Sequence, residues 1–93
     1  MKFSGKQVAA ARELLGITQG ELATAAGLTL LTISEFERGV VAARRETIRK
    51  IFEELTRRGI EFTNGTGTGV RLDHAKAAAF ARLSEPAGNE ADR

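Results

Sequence analysis

The chain has 93 residues, 42% of them apolar, with no Cys, one Pro, one His and a formal charge of +2. At about 100–200 residues per domain this is one domain, and a chain this small buries only about two-thirds or less of its unfolded surface. Disulfide frameworks, thiolate zinc sites and cysteine nucleophiles are excluded by composition, and one histidine leaves no multi-histidine metal site. No EF-hand-like acidic loop appears, so neither a metal nor a cofactor is expected, and no constellation supports an enzyme. Five Phe with neither Trp nor Tyr make a poor stacking platform for single-stranded bases.

Charge is more informative by segment than in total. Residues 1–59 hold ten basic and seven acidic side chains, and residues 60–93 hold four and five. Positions 38–58 contain seven bases (Arg38, Arg44, Arg45, Arg49, Lys50, Arg57, Arg58) against Glu46, Glu53 and Glu54. Such a stripe suits phosphates or an acidic partner, and a solvated helix face is the plainer reading of the same charges. The start shows no signal-peptide pattern, and the longest apolar runs fall far short of the ~20 residues of a membrane span. A cytoplasmic location without membrane contact is the expectation.

In chain order, Ser4 and Gln7 have capping-box spacing, followed by Val8, Ala11, Leu14 and Leu15 at helical spacing and a stop at Gly16, which predicts a helix over 5–15. Thr18 and Glu21 repeat the capping box and open a short helix with Leu22, Ala23 and Ala26 inward, ended by Gly27. Thr29 is a third N-cap, with Ile33 and Phe36 on the inner face of a helix that stops at Gly39. From Arg44 to Arg58, Ile48, Ile51, Phe52 and Leu55 define the stripe of an amphipathic helix closed by Gly59.

The period then changes. Ile60-Glu61-Phe62 and Val70-Arg71-Leu72 alternate apolar and charged around a Gly-rich loop, which predicts a β-hairpin over 60–72. An isolated hairpin is marginal in water, so it must pack on the helices or pair with another subunit. Residues 73–83 are Ala-rich and able to add a helix, and 84–93 read as a disordered tail. The organisation expected is therefore a helical domain over 1–59, the hairpin, the extra helix and the tail. The Gly65–Gly69 run lacks the Lys-Ser/Thr of a P-loop and reads as a hairpin loop, and His74 reads as an exposed helix-start residue.

A helix-turn-helix needs a small residue where its helices approach, a residue tolerating positive φ in the turn, and apolar residues clamping the second helix on the first. Ala23, Gly27 and the set Leu22, Leu28, Ile33 and Phe36 stand in that order. With Arg12, Gly16-Ile17-Thr18-Gln19, Ala26-Gly27-Leu28-Thr29, Thr32-Ile33-Ser34, Glu37-Arg38-Gly39 and Glu46-Thr47-Ile48, the stretch 6–58 resembles the lambda repressor and Cro-like (XRE-type) helix-turn-helix family.

That resemblance implies a mainly α fold: a repressor-like domain of four to five helices, here followed by the small C-terminal hairpin. It implies a transcriptional regulator, repressing or otherwise, that binds double-stranded operator DNA as a homodimer with the helix near 29–38 in the major groove. By position, Thr29, Leu30, Leu31, Thr32 and Glu35 would face base edges. Gln19, Arg38, Arg44 and Arg45 would meet phosphates, and Arg12 with Glu37 would form a structural ion pair. Homodimer contacts would fall to the hairpin, through Ile60, Phe62, Val70 and Leu72, or to the helix over 73–83.

Leu30 and Leu31 depart from the usual readers Arg, Gln and Asn. They open two alternatives. One is packing against another part of the chain. The other is an antiactivator that captures a transcriptional activator through Leu30, Leu31 and Glu35, since exposed apolar patches mark contact sites.

Overall fold

The computed structural model describes residues 3–40 and 42–84. Helices α1 (Gly5–Leu15), α2 (Gln19–Ala26), α3 (Leu30–Arg38) and α4 (Arg45–Arg57) precede strands β1 (Ile60–Thr63) and β2 (Gly69–Leu72), and α5 (His74–Ser84) follows. Except for Ser84, whose backbone closes α5, the tail expected over 84–93 lies outside the described residues.

Local chemistry explains the helix boundaries. Ser4 and Thr18 each form a complete capping box, with Gln7 and Glu21 as the reciprocal partners. Thr29 caps α3 by accepting the main-chain N–H of Thr32 at 3.1 Å. Each cap satisfies donors that the first helical turn leaves unpaired, a contribution of about 1 kcal/mol. The first three helices all end on a left-handed glycine.

Val8, Ala11, Leu22, Ala23, Ile33, Ile51, Leu55 and Ile60 form the buried core. Each large member contributes about 1.5–3 kcal/mol by leaving water. Leu14 is 49% exposed, unlike Val8, Ala11 and Leu15. At 100° per residue it lies about 90° from the centre of the Val8, Ala11 and Leu15 stripe, so helical spacing alone did not place it inward. Phe3, Phe36, Phe52 and Phe62 join the segment before α1 to α3, α4 and β1, with Phe3 and Phe62 stacked at 4.7 Å.

The hairpin pairs Ile60 with Leu72 and Phe62 with Val70, and between these pairs Glu61 with Arg71. Period-two alternation puts the four apolar side chains on one face, and that face is turned inward. Ile60 is in the core at 1% exposure, and Phe62, Val70 and Leu72 pack against it. Ile60 is thereby spent inside the chain, whereas Phe62, Val70 and Leu72, half-buried on the chain's own core, keep part of their surface outward. On the other face Glu61 holds Arg71 and, at 3.5 Å, Lys76. Helix α5 is capped by Asp73, which accepts the Lys76 N–H at 2.9 Å, and is anchored by Phe80 against the guanidinium groups of Arg57 and Arg58, each 4.7 Å from the ring centre.

Candidate nucleic-acid interface

Between α2 and α3 the chain reverses at Gly27, whose φ of +73° is accessible to glycine at no steric cost. The next residue, Leu28, donates its N–H to the Ala23 carbonyl at 2.8 Å and packs on the core, which closes the turn. Buried Ala23 lets the two helices approach. Ile33 anchors α3 from below, with Phe36 and Glu37 beside it on the protein side.

That anchoring leaves Leu31, Glu35 and Arg38 along one outward stripe, at i, i+4 and i+7. Leu30 is 55% and Leu31 62% exposed, so neither packs inside the chain. Leu30 borders a depression shared with Arg12, Thr18, Gln19 and Gly20 on the α2 side. Thr32 and Glu35 border a second one with Arg44 and Thr47 on the α4 side. The Thr29 and Thr32 hydroxyls lie 2.9 Å apart, engaged with each other at the helix start.

Behind the outward face, Arg12 grips Glu37 with two hydrogen bonds, from Nε at 2.6 Å and Nη2 at 2.9 Å. Nη1 donates to the Ile17 carbonyl at 3.1 Å, and Gln19 adds its amide N–H to Glu37 Oε1 at 2.9 Å. The two charged side chains are 15% and 7% exposed. Hydrogen bonding to Glu37 is the main cause that raises the Arg12 pKa, so the guanidinium is held charged. This network ties α1, α2 and the end of α3 together. It also engages one of the two side-chain N–H donors of Gln19, a residue that the family resemblance places at a phosphate.

The basic stripe of 38–58 divides in two. Arg49 pairs with Glu53 at 3.0 Å and Lys50 with Glu46 at 3.7 Å. Arg57 and Arg58 converge on Glu54, whose side chain is 6% exposed. Arg38, Arg44 and Arg45 are exposed and form no ion pair among the described residues. They flank α3, with Arg38 at its last turn and Arg44 and Arg45 at the start of α4. The Glu46–Lys50 and Arg49–Glu53 pairs were legible as i,i+4 spacings, whereas the burial of Glu54 carried no sequence signal.

Gln7 was also missed beyond its cap. Buried at 3%, it donates its amide to Thr63 O, Asn64 Oδ1 and Gly69 O. Among the described residues no acidic or histidine cluster could hold a metal ion, and no helix is long and apolar enough to cross a membrane.

No curated protein matches the chain. The helix-turn-helix family model matches residues 8–59, which run from the first core position of α1 to the glycine just past α4. That match takes in more than half of the 93 residues and contains the capped pair α2–α3, the glycine turn and the outward face of α3. The chain belongs to the XRE-type helix-turn-helix family and is a DNA-binding regulator.

Proposed function

We propose that the protein regulates transcription as a homodimer that seats α3 of each copy in the major groove of an operator, on half-sites about 34–36 Å apart. The observation that carries this reading is the placement of Arg38, Arg44 and Arg45, three cations without acidic partners among the described residues, around an exposed α3 face. Thr29, Leu30, Leu31, Thr32 and Glu35 face the base edges, and the three arginines meet phosphates on either side. Gln19 contributes its main-chain N–H at the positive end of α2, because its side chain is held by Glu37. Arg12 and Glu37 set the angle of α3 without touching DNA. A cytoplasmic site of action goes with this partner.

Gel shifts against the DNA upstream of the gene, repeated across salt concentrations, test the proposal. Counterion release gives a log–log slope of about −0.9 per phosphate contact. Binding that is absent at low salt overturns it. Light scattering of the full chain, free and on a two-half-site duplex, tests the homodimer.

A second reading is favoured by the two adjacent exposed leucines, which suit the groove of a protein. Here α3 docks on a transcriptional activator and blocks it through Leu30, Leu31 and Glu35. Leu31→Asp abolishing capture of the activator, with no DNA binding at low salt, selects this reading over the first.

A further inference from the structure

We infer that the α3 face selects its operator by thymine methyl groups, through Leu30 and Leu31, and by a cytosine amino group, through Glu35; this rests on the DNA-binding reading above. In the major groove, guanine is read by paired donors and adenine by a donor with an acceptor, which calls for Arg, Lys, Asn or Gln. The outward positions in the first two turns of α3 are Leu30, Leu31, Thr32, Ser34 and Glu35, and none of these is such a residue. The Thr29 and Thr32 hydroxyls bond each other and Thr29 also caps the helix, which leaves that pair one free proton and no bidentate donor set. Arg38 lies eight residues beyond Leu30, about 12 Å along the axis, at the end of the helix away from the base-reading N-terminal turns.

Hydroxyl contacts from Ser34 and the Thr29–Thr32 pair tolerate either kind of edge, so the discriminating contacts that remain are apolar contact and acceptance. The C5 methyl of thymine is the apolar feature that a base edge offers in the major groove, and leucine is the complementary side chain. Both leucines are more than half exposed, so their burial against DNA is available as binding energy. Glu35 follows Leu31 by one turn and makes no ion pair among the described residues. A carboxylate only accepts, which matches the cytosine N4 amino group. Arg44 borders the same depression as Glu35 and supplies the positive charge that offsets its repulsion by nearby phosphates. Arg38, Arg44 and Arg45 around the face, unpaired among the described residues, match it to a polyanion.

The test begins by selecting binding sites from a pool of random 20-base-pair duplexes. Each thymine of the selected half-site is then replaced in turn by deoxyuridine, which deletes the methyl and keeps every hydrogen-bonding group. We expect at least two positions where this weakens binding about threefold to fivefold, as loss of one buried methyl implies. Leu30→Ala and Leu31→Ala, each expected to keep the fold because the side chains are exposed, should each erase the penalty at one of those positions. Glu35→Gln should relax the preference at a cytosine. Uracil duplexes bound as tightly as thymine duplexes, with salt-dependent binding intact, overturn this readout and leave the DNA-binding reading standing. A pool that yields no salt-dependent binding overturns both.

Discussion

The side-chain amide of Gln7, in the first turn of α1, donates to the main-chain oxygen of Gly69 at 2.9 Å, across 62 residues of chain. The same amide reaches Thr63 O, and its oxygen accepts the Ser4 N–H, so one buried residue both starts the first helix and ties down the loop end of the hairpin. Gln7→Glu separates the two roles. It keeps the acceptor that the capping box needs and replaces the donor by an anion facing carbonyl oxygens. The variant should lose about 1–3 kcal/mol in urea denaturation, the range for a buried polar group left without its partner. Hydrogen exchange should accelerate most at the hairpin amides; unchanged hairpin protection would contradict the tie.

Gly5 tests packing against propensity. A Cβ there would lie 2.2 Å from the Phe36 carbonyl oxygen and 2.6 Å from that of Glu37. Helix propensity alone would favour Gly5→Ala by about 0.5–1 kcal/mol. Overpacking against main chain costs about 1–3 kcal/mol, and backbone has no rotamer by which to yield. The variant should therefore melt lower than the parent, and a raised Tm would show that α1 and α3 can move apart freely.

Glu37→Ala leaves the Arg12 guanidinium, 15% exposed, and the Gln19 amide without their common acceptor. Breaking a buried pair costs about 3–5 kcal/mol, and the partial exposure of Arg12 moves the expectation to about 2–3 kcal/mol. A double-mutant cycle with Arg12→Met should return a coupling well above that of Arg49 with Glu53, an exposed pair worth less than about 1 kcal/mol. Equal couplings would remove the structural role assigned to the network.

Asp73 supplies a prediction in pH. The Lys76 main-chain N–H donates to its carboxylate and holds its pKa below the ordinary aspartate value. A depressed value in the folded state means that this cap contributes above the ordinary aspartate pKa and is lost as pH falls through the lowered one. An NMR titration that follows the Lys76 amide should give a midpoint below that of an unstructured aspartate, and Asp73→Asn should abolish the transition while leaving the amide bonded.

Among the bases of 38–58, Arg44→Ala and Arg45→Ala should each lower the salt slope of DNA binding by about 1 and weaken all sequences alike. Arg49→Ala should leave the slope unchanged, since Arg49 is already held by Glu53 and Glu46. Equal effects at all three positions would mean that binding senses only net charge.

The helices α1 to α4 were legible in the sequence because their signals are local. A Ser4 or Thr18 cap, a stop at Gly16 or Gly27 and a stripe such as Ile51 with Leu55 each involve residues within a few positions of one another. The helix-turn-helix was legible for the same reason, with the turn glycine and its clamping residues inside one short stretch. Alternation likewise showed that Ile60, Phe62, Val70 and Leu72 share a face, but not what covers it. That depended on where the chain returned, as did the second role of Gln7, the commitment of Gln19 to Glu37, the exposure of Leu14 and the division of the basic stripe into held and free arginines. These are contacts between segments distant in sequence or choices among neighbouring acids, and spacing names the candidates without ranking them. The helix-turn-helix and the placement of α3 within it were thus written locally, whereas the charges and side chains left free on the outward face of α3 were decided by tertiary packing, which determines what each polar group already holds.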